Sequence, residues 1–265
     1  MSDSSTQVRA IFLSDIHLGT AGCNAGLLLK FLARYDAETI YLVGDIIDGW
    51  RLRSGWYWPQ AHNDVMQKLL RKVRKGTKLI YIPGNHDEFL RDYLGHNFGG
   101  IHVEDRIIHR TATGQDYLVI HGDQFDVVVA NARWLAYLGD WAYEFALWSN
   151  RIFNAVRRRL GMPYWSLSAW AKMKVKNAVN FIGRFEECLA EEARRAGADG
   201  VICGHIHHAA ERDIDGVRYL NTGDWVESCT AIVEDASGAL RIIRFAEIVR
   251  FETYAEAKAL SPKVA

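Results

Sequence analysis

Five short polar motifs, each closing an apolar run, set the tightest limit on how this chain can fold. They are Asp15-Ile16-His17, Gly44-Asp45-Ile46-Ile47-Asp48, Gly84-Asn85-His86-Asp87, His121-Gly122-Asp123 and Gly204-His205-Ile206-His207. The runs before them (Val8 to Ser14, Thr39 to Val43, Lys78 to Ile82, Asp116 to Ile120, Gly200 to Cys203) read as strands. Helical patterns separate the first three. Asn24 is a plausible N-cap for an amphipathic stretch through Leu27, Leu28, Phe31 and Leu32, and a second helix is predicted from Ala61 to Arg74. Alternation of strand, motif and helix predicts βαβ units with a site at the carboxyl ends of parallel strands.

The pattern then changes. Residues 101–121 read as short strands in a meander, and 199–246 as a β-rich run containing Ala210 to Ile214, Val217 to Leu220, Thr230 to Glu234 and Leu240 to Phe245. Asp215-Gly216 is a two-residue hairpin signal between two of these. Two β-containing halves with helices outside predict an α/β fold, a four-layer α/β/β/α sandwich. Its core is expected over 8–126 and 186–250, with loosely held ends at 1–7 and 254–265.

At 265 residues the chain suffices for one large domain with an insertion. Its 32 basic and 32 acidic residues cancel, so net charge selects no partner class. Met1 to Gln7 is not read as a signal peptide, since no basic stretch is followed there by an apolar one. No run of about 18 apolar residues is present to span a membrane. Cys23, Cys188, Cys203 and Cys229 are scattered, without a Cys-x-x-Cys pair, and read as reduced thiols in a cytosolic protein.

Residues 127–185 have a different character. Trp134, Leu138, Trp141, Phe145, Trp148 and Ile152 recur at alternating steps of four and three, the stripe of a helix facing a partner. The segment holds nine basic residues against the acids Asp140 and Glu144, a balance of +7, so the remainder carries −7. A helical insertion between the fourth and fifth motifs must fold over or beside the site. Its aromatic surface and basic rim suit a substrate with acyl chains and phosphates; the plainer reading is a hairpin burying its own stripe.

Carboxylates, imidazoles and one amide are the ligand types of the motifs. Asp15 and His17, two residues apart, can hold one ion together. Asp45 can bridge two ions through separate oxygens, while Asn85 offers an amide oxygen and His121, His205 and His207 offer imidazoles. Seven donors at strand ends suit two divalent cations held about 4 Å apart for in-line attack at phosphorus.

This array resembles the calcineurin-like metallophosphoesterase family, whose pattern runs D-x-H, G-D-x-x-D, G-N-H-[DE], H, G-H-x-H; the resemblance covers roughly residues 8–245. It implies one metal on Asp15, His17, Asp45 and His207 and a second on Asp45, Asn85, His121 and His205. Mixed N/O donors without thiolates make manganese the first choice, with iron or zinc as alternates. The resemblance also places His86 toward the substrate, as stabiliser of phosphoryl charge or proton donor, with Asp87 orienting its ring. His208 reads as a solvent or supporting residue, and His62, His96, His102 and His109 as structural.

Within that family the chain is more closely similar to the UDP-2,3-diacylglucosamine diphosphatases of lipid A synthesis. The residues behind this are Phe12 to Leu18, Gly44 to Trp50 and the helical insertion. That likeness implies an acylated, nucleotide-activated sugar as substrate and an insertion that acts as a lid over its acyl chains. It further implies substrate contacts at Trp50 and Asn85, with Lys172 and Lys176, one helical turn apart, facing phosphate. A peripheral position at the cytosolic face of the inner membrane follows. One branch of the group has arginine where His86 stands; this chain keeps the histidine, as a second branch does. Two other readings compete: a phosphodiesterase for another nucleotide or nucleotide-lipid, for which a soluble substrate leaves the lid without use, and a non-catalytic membrane-surface or scaffold protein, which lost ligands would mark. None of the seven positions is substituted. No nucleic-acid recognition motif accompanies the basic rim.

Overall fold

Strand β1 (Thr6–Leu13) buries both of its faces: Ile11 and Leu13 enter one apolar core, Ala10 and Phe12 another. A strand covered on both sides is apolar along its length rather than alternating, which is why residues 10–13 form an unbroken apolar run. Parallel to it lie β2 (Tyr35–Val43) and β3 (Lys78–Ile82). The computed structural model describes residues 5–125 and 182–260.

Beyond β3, the sheet continues through β5 (Ile101–Val103) to β4 (Asn97–Phe98). On the other side of β1 come β11 (Thr230–Glu234) and then β12 (Leu240–Arg244), each antiparallel to the strand before it in the sheet, making seven strands. A second sheet of five has the order β6 (Ile107–Arg110), β7 (Asp116–Val119), β8 (Gly200–Cys203), β10 (Val217–Asn221), β9 (Ala210–Ile214). Within it β7, β8 and β10 are parallel. Between the sheets, Phe12, Tyr41 and Ile80 meet Tyr117, Val119 and Leu220.

Helices α1 (Ala25–Arg34) and α3 (Gln60–Arg74) cover the outer face of the larger sheet, placing Leu28, Phe31, Leu32, Val65 and Leu69 on Ile11, Ile40 and Leu79. Each such fully buried side chain contributes about 1.5–3 kcal/mol. Asn24 precedes α1 as expected, but its side chain donates to Val226 O at 2.6 Å instead of capping the helix. A short α2 (Gly49–Ser54) starts where Asp48 accepts Arg51 N at 2.8 Å. Helix α4 occupies 182–195, with Leu189, Ala190 and Ala193 buried. Residues 245 onward form α5 (Phe245–Leu260), so the tail expected to be loose from 254 is helical to Leu260.

The chain divides into two compact units, Met1–Asp123 with Leu189–Ala265, and Gln124–Cys188. The segment 127–185 belongs to the second, and its aromatic stripe lies outside the described residues, as do Lys172 and Lys176. No helix among the described residues is long and apolar enough to cross a membrane.

Candidate metal centre

All five motifs stand immediately after parallel strands: β1, β2 and β3 in one sheet, β7 and β8 in the other. The loops after β1 and β2 run side by side, with Asp15 N donating to Gly44 O at 3.0 Å and His17 N to Asp45 O at 2.9 Å. His205 N reaches across from the second sheet to Asp15 Oδ2 at 2.9 Å. Backbone hydrogen bonds thus set the loops before any ligand acts.

Five of the seven expected ligands hold left-handed backbone: φ is 49° at Asp15, 53° at His17, 55° at Asp45, 74° at His205 and 54° at His207. Only Asp215 and Cys229 share that conformation among the other described non-glycine residues. Each such residue costs on the order of 1–3 kcal/mol, and the cost gathers where side chains must be aimed. Close approach demands glycine beside them. A Cβ on Gly44 would lie 2.1 Å from His121 Nδ1, and one on Gly84 would lie 2.3 Å from Asp45 Oδ1 and 2.6 Å from His121 Nε2.

The side chains gather into overlapping donor sets. One joins Asp15, His17 and His207; another joins Asp45, His121 and His205; in each, the candidate atoms lie within 4.8 Å of one another. His17, Asp45 and His86 make a third such group, in which Asp45 recurs. Donor separations are 3.3 Å for His17 Nε2 to His207 Nε2, 3.3 Å for His207 Nε2 to Asp15 Oδ1 and 3.4 Å for His121 Nε2 to Asp45 Oδ2. Ligands bound at about 2.1 Å in tetrahedral or octahedral geometry stand roughly 3.0–3.4 Å apart, so these spacings suit a shared cation. Asp15 Oδ1, Asn85 Oδ1 and His121 Nε2 are moreover buried without a hydrogen-bond partner. Orphaned buried acceptors are expensive, and a divalent ion is what would satisfy them. The residues fit two adjacent divalent metals.

Supporting contacts orient the rings. His121 Nδ1 lies 2.8 Å from Val43 O, which directs Nε2 into the cluster, and His17 Nδ1 lies 3.2 Å from Asp48 Oδ2, which does the same. Ser14 Oγ hydrogen-bonds Asp15 Oδ2, leaving Oδ1 for a ligand. Burial opposes charge on His121, yet the Asp45 carboxylate beside it raises its pKa to about 10. His17 is raised too: burial works against its charge, and Asp48, Asp15 and Asp45 outweigh it. Burial would lift the Asp48 carboxyl, but hydrogen bonds from His17 and His86 hold it well below the usual carboxylate range.

One expectation is corrected here. Asp87 does not orient His86. Its carboxylate is fully buried and accepts from Tyr81 OH at 2.5 Å, Gly84 N at 2.6 Å and Ile46 N at 2.8 Å, tying the second and third motif loops together. The group beside His86 is Asp48, with Oδ1 at 3.1 Å from His86 Nδ1. Neighbours in a tight turn aim their side chains apart, whereas Asp48 arrives from another loop. The role of Asp48 went unread in the sequence, although its place three residues after Asp45 was the available signal. Trp50 packs on His86 with ring centroids 4.3 Å apart and stays 43% exposed, so its outer face is open. His208 is exposed, while His62 and His109 are buried in protein contacts.

Residues 8–209 match the family described as calcineurin-like phosphoesterase. Several curated relatives, each called UDP-2,3-diacylglucosamine hydrolase, align over nearly their whole length. The protein from Pseudomonas aeruginosa is 27% identical, covering 86% of this chain and 95% of its own. That of Porphyromonas gingivalis is 25% identical over 85% of this chain and 94% of its own, and that of Neisseria meningitidis serogroup B 25% over 87% and 96%. With a family match across most of its length and the family's donor clusters assembled at its strand ends, the chain belongs to the calcineurin-like metallophosphoesterases.

Proposed function

We propose that this metallophosphoesterase cleaves the pyrophosphate bond of UDP-2,3-diacylglucosamine, giving UMP and 2,3-diacylglucosamine 1-phosphate. One observation carries the reading: a donor array centred on Asp45 stands in a chain that aligns along its length, not merely at its motifs, with hydrolases named for that substrate.

Asp15, His17, Asp45 and His207 would hold one ion, and Asp45, Asn85, His121 and His205 the other, with manganese favoured by the N/O donor set. Once bound there, such cations would lower the pKa of a water toward neutral and offset charge on the diphosphate. The chain's own residues do the rest. Asp48 fixes the ring of His17 and stands beside that of His86. His86 meets the substrate, stabilising charge on the phosphoryl oxygens or giving a proton to the leaving oxygen. Asp87 acts indirectly, by holding the amides around Asp45. Trp50 offers its open face to the nucleotide or sugar. The acyl-chain role expected of 127–185, and the phosphate contacts expected of Lys172 and Lys176, fall outside the described residues; the protein works at the inner membrane's cytosolic face.

The test is UMP release from UDP-2,3-diacylglucosamine compared with its deacylated counterpart. Burial of acyl chains is worth about 0.8 kcal/mol per methylene, so kcat/KM should favour the acylated substrate by several orders of magnitude. Equal efficiency on the two would overturn the assignment.

A further inference from the structure

The segment that follows Asp48 presents aromatic rings to solvent. Trp56, at 78%, is the most exposed large apolar side chain among the described residues, and Tyr57 and Trp50 are 44% and 43% exposed. Monomeric proteins rarely leave such surface bare without a use for it. This surface is held from beneath. Trp56 stacks on Trp58 at 6.1 Å, and Tyr57 and Trp58 both stand edge-on to buried His62. Gly19 N in turn donates to His62 Nδ1 at 3.0 Å, anchoring the loop to the segment just past the first metal motif.

Its charge is one-sided. Arg51 and Arg53 are exposed, neither pairs with a carboxylate among the described residues, and residues 49–63 contain no acid. Indole and phenol rings combine an apolar body with a polar tip, and arginine combines an apolar stem with a cation that suits phosphate. That mixture belongs at the boundary between lipid headgroups and acyl chains. Inward of the loop, Tyr57 and Pro59 line a cleft of about 540 Å³ together with Leu27 and the cationic Lys30. At its other end the segment reaches the metal centre, where Trp50 lies on His86.

We propose that residues 50–58 dock the protein on an anionic phospholipid bilayer, Trp56 and Tyr57 entering the interface while Arg51 and Arg53 meet lipid phosphates. A bilayer seated there lies next to His86, so a membrane-held phosphoester reaches the metals without leaving the interface; this purpose rests on the lipid-linked substrate argued above.

Sedimentation of the full-length protein with vesicles tests the idea, using phosphatidylcholine alone or mixed with phosphatidylglycerol. Wild type should bind the mixed vesicles more tightly. Arg51→Gln with Arg53→Gln should lower that binding about fivefold per arginine and leave phosphatidylcholine binding unchanged. Trp56→Ser with Tyr57→Ser should weaken binding to both vesicles about tenfold or more. Both variants should hydrolyse water-soluble bis(p-nitrophenyl) phosphate at the wild-type rate. Docking at this loop is overturned if wild type binds neither vesicle, if both variants bind like wild type, or if the aromatic variant only dissociates a dimer. Vesicle binding without UMP release would remove the substrate reading and leave docking intact; UMP release from dispersed substrate without vesicle binding would do the reverse.

Discussion

Two buried polar clusters in this fold each set imidazole against carboxylate, and they differ in how completely the protein satisfies them. Around His109, between the sheets, the partners are complete. Nδ1 lies 2.9 Å from Tyr41 OH and Nε2 2.8 Å from Glu234 Oε2, while Glu234 Oε1 takes Arg9 and Ala112 N. Around His121, at the strand ends, Asp15 Oδ1, Asn85 Oδ1 and His121 Nε2 find no such partner. Burial lowers the pKa of His109 despite Glu234, whereas carboxylates raise that of His121 against the same burial. A saturated cluster is architecture. An unsaturated one, built on left-handed backbone, is a place prepared for something the chain does not itself supply.

Substitutions should separate the two clusters. Asp45→Ala is expected to have the largest effect, abolishing turnover and binding of both ions, because each loses its shared charged ligand; metal analysis beside a kinetic assay would show it, and a fully active variant would break the distinction. His86→Ala should reduce kcat about a hundredfold while metal content stays near wild type. A parallel fall in metal would make His86 a ligand instead. Asp48→Asn touches both rings, so metal affinity should drop about 10- to 100-fold in a competition titration, with kcat reduced as well. An Asp48→Asn protein with normal affinity would leave its contact with His17 without consequence.

His109→Gln should act only on stability, costing about 1–3 kcal/mol in urea unfolding through the group left unpaired, with metal content and kcat unchanged. The smallest and most discriminating effect is on pH. His109 has a folded pKa below its reference 6.5, so its contribution is present above that pH and is lost as pH falls toward the folded value. His121, raised from 6.5 to about 10, contributes in the metal-free protein below pH 6.5 and loses that contribution as pH rises toward 10. Unfolding of the metal-free protein across this range should therefore flatten on the acid side in His109→Gln and on the alkaline side in His121→Gln. Identical profiles for the two variants would erase the contrast.

Much of the site was legible in the sequence because each motif directly follows a strand whose apolar run ends sharply. The strand limits at Lys78–Ile82, Gly200–Cys203, Ala210–Ile214 and Thr230–Glu234 coincide with those read from residues alone. Less legible was the start of β2: it begins at Tyr35, directly after α1, because Thr6 to Val8 of β1 pair with Tyr35 to Ala37 and extend the strand past its apolar part. Helix α5 gave little signal, since Phe251 and Tyr254 are exposed and form no inward stripe. Asp87 was expected in the place that Asp48 takes beside His86, for a physical reason. Which carboxylate faces His86 depends on two loops meeting in space, and the family resemblance had implied Asp87.

The sharing of Asp45 between two ions is the central claim, and electron paramagnetic resonance of the protein loaded with Mn²⁺ tests it most directly. Two ions about 4 Å apart through one carboxylate should give two bound equivalents with a spin-coupled spectrum, and Asp45→Ala should lose both. A single bound equivalent, or two that give only the spectrum of isolated Mn²⁺, would contradict it.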